Sequence, residues 1–135
     1  MHIFVFPIHR LGVTERRHIA DHLTRPGSEF QQALVSGSPL TGVIATMHMG
    51  GEIVSWARTY EWREYQTLEA FTASEHRRGG LATACTAALI AYIAGAYGVT
   101  FAVFRPQMAS IAARLRILHR HYARWPDGSW QEVQE

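Results

Sequence analysis

The stretch SEHRRGGLATA, residues 74 to 84, gathers the residue types best suited to hold an anion. Arg77 and Arg78 offer forked N–H groups, Gly79 and Gly80 permit backbone conformations and close approaches that side chains forbid, and only small residues follow Leu81. The stretch stands between a segment that reads as extended, 66–73, and one that reads as helical from Leu81 onward. Free backbone amides at such a junction point out from a helix N-terminus, an arrangement that binds anions and above all phosphates. No lysine follows the glycines, so the loop is not a P-loop. The three-glycine spacing and the downstream ribose-binding acid of the dinucleotide fingerprint are missing as well.

Other chemistry is sparser. The eight histidines show no HExxH-type or other metal spacing, and no metal is expected. Cys85 is the single cysteine, which excludes an internal disulfide and a thiolate cluster and suits a reducing cytoplasm. Inside an alanine-rich segment it reads as a small packing residue rather than a nucleophile. All 13 basic residues are arginine, and the chain has neither lysine nor asparagine. A GC-rich genome accounts for that bias; the functional alternative is that arginine's bidentate fork serves phosphate. The formal charge of +2 permits an anionic ligand without demanding nucleic acid.

The elements that must position these residues follow from the pattern. The 135 residues, 47% of them hydrophobic, predict a single domain over 1–135 with a genuine core. No apolar run approaches a membrane span, and the start MHIFVFPIHR turns polar too quickly for a signal peptide, so a cytoplasmic protein is expected. Residues 2–8 read as a strand. Thr14 reads as the N-cap of a short helix ended by Arg25-Pro26-Gly27, and Ser28 with Gln31 as a capping box for a second helix closed by Gly37. Strands over 40–49 and 52–61 flank Gly50 and Gly51, a strong hairpin signal, and a third strand covers 66–73. After the loop comes an alanine-rich helix with Leu81, Cys85, Leu89 and Tyr92 as its heaviest stripe. A strand over 99–104 should lie parallel to the third, splayed from it at the loop end. A helix starts near Pro106 with Ile111, Leu115 and Leu118 on its apolar side, and Tyr122-Ala-Arg-Trp and Ser129-Trp-Gln-Glu-Val flank a Pro126-Asp-Gly turn. The predicted order is β-α-α-β-β-β-α-β-α-β-β, a mixed α/β (α+β) domain.

In that frame Arg77-x-x-Gly80-x-Ala82 resembles the Arg/Gln-x-x-Gly-x-Gly/Ala signature of the GNAT acyltransferase superfamily, and the order of elements resembles that family over nearly the whole chain. The resemblance implies a GNAT-like, mainly antiparallel sheet flanked by helices, and a loop that wraps the pyrophosphate of acetyl-coenzyme A. It places Arg77, Arg78, Gly79, Gly80, Leu81 and Ala82 against the pyrophosphate. Backbone groups of Ala70, Phe71 and Thr72 would pair with the pantetheine arm as a neighbouring strand would. The small side chains of Ala82, Thr83 and Ala84 would let the helix approach the ligand.

The activity implied is direct transfer of an acetyl or other acyl group from acyl-coenzyme A to an amine. Such transfer needs a base for the amine and an acid for the departing thiolate. Glu69, on the strand before the loop, is the first choice of base, with Glu61 and Glu64 beside it. For the acid the family commonly uses a tyrosine in the helix after the buried strand, with an asparagine upstream and a Gly-Phe downstream. This chain departs from all three: Leu115 or Arg116 stands near the tyrosine's place. Tyr122 is the substitute, with His119 and His121 as further candidates.

Two residue groups carry alternatives. Arg114, Arg116, Arg120 and Arg124 with His119 and His121 form either a solvated basic helix face or a docking face for phosphates. Trp56, Tyr60, Trp62 and Tyr65 read as sheet packing, or as stacking surfaces for a base. Two further readings therefore stand beside the acyltransferase: a GNAT-fold structural or interaction protein without turnover, and a nucleic-acid base-modifying enzyme. Short GNAT-like proteins of tailed phages, internal virion proteins among them, resemble this compact layout and its ending in Tyr then Asp-Gly. The partners implied are acyl-coenzyme A and an amine acceptor (small molecule, protein or nucleic acid), with a homodimer allowed and no membrane.

Overall fold

The computed structural model describes residues 2–62, 65–77, 79–97, 103–104, 111, 122–124 and 130–132. Strand β1, His2–Pro7, opens the chain, followed by helices α1, Val13–His22, and α2, Glu29–Ser36. Strands β2, Val43–Met49, β3, Glu52–Trp62, and β4, Tyr65–Thr72, come next, then helix α3, Leu81–Tyr97. The short strands β5, Val103–Phe104, β6, Tyr122–Arg124, and β7, Trp130–Glu132, complete the described elements.

The sheet runs β1-β2-β3-β4-β5, and its first four strands are antiparallel. Gly50 and Gly51 both have positive φ, 60° and 82°, the conformation a two-residue hairpin of right-twisted strands requires, and they join β2 to β3 as expected. β5 returns parallel to β4, with Thr67 opposite Val103 and Leu68 opposite Phe104. The residues that would face Glu69–Thr72 across this edge lie outside the described ones, as does the expected splay. β6 and β7 pair as a separate antiparallel ribbon, the terminal hairpin that the sequence predicts; its Pro126-Asp-Gly turn is outside the described residues.

Helices cover both faces of the sheet. On one face Cys85, Leu89 and Ile93 of α3 pack on Val43, Ala45, Met47 and Leu68. The stripe of α3 thus continues to Ile93, one turn beyond Leu89, while Tyr92 is only partly buried. On the other face Ile19, Leu23, Phe30 and Leu34 of α1 and α2 pack on Ile44, Ile53 and Trp56. Trp56 is buried, stands edge-on to Phe30 at 4.9 Å and donates its indole N–H to the Leu23 carbonyl at 2.8 Å, so here the packing reading of that aromatic holds.

The helix caps agree with the pattern at α2 and correct it at α1. Ser28 Oγ accepts from the Gln31 amide at 3.1 Å, and Gly37 closes α2 in the left-handed conformation, φ 72°. α1 begins before Thr14, because the Gly12 amide donates to Glu15 Oε1 at 3.0 Å and so makes Gly12 the N-cap. Of the helix expected after Pro106, Ile111 is described and is helical.

Candidate active site

Strand β4 presents four different surfaces to its surroundings. Its side chains alternate, so Leu68 and Ala70 face α3 while Phe71 joins the core beneath α1 and α2. Its main chain alternates too. The Ala73 amide donates to the Val54 carbonyl at 2.8 Å, which fixes the phase of the β3–β4 ladder. In that phase the N–H and C=O of Phe71 turn toward β3, and those of Ala70 and Thr72 turn toward the opposite edge. Two side-chain contacts agree with this phase. Ser55 Oγ of β3 donates to the Phe71 carbonyl at 2.9 Å, and Arg77 Nε donates to the Thr72 carbonyl from the other side at 3.2 Å.

That edge opens into a cleft of about 370 Å³. Ala70, Phe71, Thr72 and Arg77 line it on the strand side, and Gly80, Leu81, Ala82 and Thr83 on the helix side, with His76 and Ile111 also among the described residues that border it. The size is at the lower end of the ~300–1,000 Å³ usual for ligand sites. Seven of the nine residues that the resemblance assigns to a cofactor are therefore gathered around one cavity. Gly79 is exposed in the loop and does not line it, and Arg78 lies outside the described residues. His76, from the same loop, lines the cleft as well.

The loop geometry is that of an anion-binding helix start. The Gly80 carbonyl accepts the first helical bond from the Ala84 amide at 3.0 Å, so Gly80 caps α3 without a side-chain acceptor. Leu81, Ala82 and Thr83, whose amides open the helix, all line the cleft. Gly80 has φ 75°, a conformation that disfavours a side chain, and a Cβ added there would meet nothing within 4 Å. Its need for glycine thus comes from the turn and from the open cleft, not from packing within the protein. Arg77 is held over Phe71, its guanidinium carbon 5.3 Å from the ring centroid, which keeps a positive charge at the mouth. Its described lining residues include arginine and histidine and no carboxylate.

Glu69 lies elsewhere. It is the cross-strand partner of Arg58, and Oε1 accepts from Arg58 Nε at 2.9 Å. Arg58 is buried, its guanidinium carbon 3.9 Å from the Phe30 ring centroid and 4.5 Å from that of Tyr60, on the α2 side of the sheet. Glu69 is adjacent to Ala70 in sequence but does not line the cleft. Tyr122 is in strand β6, opposite Glu132, and Arg124 is in the same strand, so neither stands on a helix. Glu61 pairs with Gln66 in the β3–β4 ladder. Glu64, His119, His121, Arg114, Arg116 and Arg120 lie outside the described residues. Arg58 was missed in the sequence. The signal was present: an arginine within a strand whose flanking residues Trp56, Ala57 and Thr59 are apolar or small.

Cys85 is buried in the α3 core, and burial raises its thiol pKa to about 11, with a smaller opposing effect from a hydrogen bond to Ser55. Among the described residues no helix is long and apolar enough to cross a membrane, and no three metal-binding side chains cluster.

No family model matches the chain, and no curated protein matches it. Among solved structures it is similar to a ribosomal-protein-alanine N-acetyltransferase from Brucella melitensis biovar Abortus 2308. The identity is 15% and the TM-score 0.52, over 84% of this chain and 88% of that one. At that identity the likeness is one of fold: a mixed α/β, GNAT-like architecture, with the loop cleft between β4 and the start of α3.

Proposed function

We propose that this chain is an acyl-coenzyme A-dependent N-acyltransferase of the GNAT type, moving an acetyl or other acyl group to an amine. One observation carries the reading: a cleft bounded by the Ala70, Phe71 and Thr72 stretch of β4 on one side and the N-terminus of α3 on the other, with no carboxylate among its described lining residues. The likeness of fold to an N-acetyltransferase supports it. In this reading Ala70 and Thr72 pair through their main chain with the pantetheine arm, and Phe71 contributes its ring rather than its backbone. The amides of Gly79, Gly80, Leu81 and Ala82, with Arg77 and Arg78, receive the pyrophosphate.

In the reaction the amine nitrogen bonds to the acyl carbon, the carbon–sulfur bond breaks, the amine loses a proton and the thiolate gains one. Glu69 takes the amine's proton, directly or through a water, and Tyr122 supplies the thiolate's. Calorimetric titration with coenzyme A tests the site. Gly80→Asp sets an anion where the pyrophosphate would lie and should abolish binding, whereas Arg77→Ala should weaken it less. Equal affinity of the wild type and Gly80→Asp would reduce the loop to a turn.

The ion pair of Glu69 favours a second reading, a binding protein on the same fold without turnover, because it occupies the proposed base. Coenzyme A that binds without free thiol appearing from any amine offered would establish that reading over the first.

A further inference from the structure

On the face of the sheet opposite α3, a second cavity of about 220 Å³ lies between α2, the residues that enter β2, and the end of β3. Arg58 lines it, beside Phe30, Leu40 and Tyr60. Arg58 is 9% exposed, yet among the described residues its only hydrogen bond is from Nε to Glu69. Its two Nη groups, four N–H donors in one plane, are therefore buried at a cavity wall with no acceptor among the described residues. Buried donors of a charged group are rarely left so, and the planar fork matches the two oxygens of a carboxylate.

We propose that this cavity binds the acceptor, and that the acceptor is a small amino acid whose carboxylate lies across the Nη pair of Arg58. The proposal rests on the acyltransferase reading for the word acceptor, but not for the binding itself. Glu69 on Nε orients the fork and stands beside the bound molecule, so an amine close to the captured carboxylate is brought to the proposed base. A doubly charged phosphate fits less well, because one arginine must offset it with Glu69 adjacent and Glu29 exposed at the cavity mouth. The cavity's size limits the ligand to a small molecule, and Phe30, Leu40 and Tyr60 give its side chain an apolar wall.

The test compares ligands and leaves the protein intact. The protein alone is titrated by calorimetry with alanine, leucine and phenylalanine, and with ethylamine, isoamylamine and phenethylamine, which lack only the carboxylate. At least one amino acid should bind about 10- to 100-fold tighter than its amine, the worth of a charge-assisted hydrogen-bonded pair. Arg58→Lys keeps the charge and loses the fork, and should erase that preference while coenzyme A affinity is unchanged. Amines binding as well as their amino acids, no binding in any pair, or a preference that survives Arg58→Lys would overturn the proposal. Coenzyme A binding without amino-acid binding would overturn this inference alone. Amino-acid binding without coenzyme A binding would support it and sink the acyltransferase reading instead.

Discussion

At the scale of single residues, burial decides what the titratable groups can do. Cys85 has no exposure and a thiol pKa of about 11, so it holds almost no thiolate at neutral pH. It should resist iodoacetamide in the folded protein and react once urea unfolds the chain, as mass spectrometry would read. Rapid alkylation of the folded protein would revive a thiol nucleophile. His48 behaves differently. Burial lowers its pKa below 6.5, Glu15 opposes that shift and His2 adds to it. The unfolded chain then binds a proton more readily than the folded one, so stability is full above about pH 6.5 and is lost as pH falls through the lower folded value. Replacing His48 by Gln, which still reaches the Thr46 hydroxyl side of the strand, should shrink the acid loss of the urea midpoint. An identical pH profile in that variant would assign the loss to other groups.

At the scale of elements, two glycines with positive φ show how differently a turn can depend on the absence of a side chain. Gly42, φ 101°, leads into β2, and its carbonyl accepts from the Ile8 amide at 3.0 Å. A Cβ there would stand 2.5 Å from the Thr59 carbonyl oxygen, in backbone that the β3–β4 ladder holds in place. Gly42→Ala should therefore cost about 2 kcal/mol or more, from strain and overlap together. Gly80→Ala meets no atom and should cost about 1 kcal/mol, from the left-handed conformation alone. Urea denaturation of both variants checks the order; Gly80→Ala proving the more damaging would mean that the cleft is packed, not open.

At the scale of the whole molecule, β4 divides the work. Its edge turned away from β3 forms the loop cleft with α3, while its α2-facing side holds Glu69 against Arg58 above the second cavity. The proposed chemistry requires groups from both sides to meet at one point on this strand. Glu69→Gln keeps an acceptor for Arg58 Nε and removes only the base, so turnover should fall ~10²–10⁴-fold with coenzyme affinity intact. Tyr122→Phe keeps the ring and removes the hydroxyl, and a loss of similar size would identify the acid. Full activity in both variants would overturn the assignment of the chemistry while leaving the fold untouched.

The elements legible from the chain alone are those whose signals are local. The Gly50 and Gly51 hairpin, the Ser28 and Gly37 caps and the loop at Gly80 depend on backbone conformations that few residues can adopt, so composition and spacing reveal them. Binary pattern carried the order of strands and helices and thereby the fold. Which way each group points is set by packing between elements. That Phe71 turns its main chain toward β3 and Ala70 turns its own toward the cleft depends on ladder phase, which strand pairing sets. That Glu69 meets Arg58 depends on a register between residues 11 apart, and that Arg58 meets Phe30 on how α2 lies against the sheet. Neither is written in the local chain, because a side chain's partners come from packing across elements and not from its neighbours in sequence.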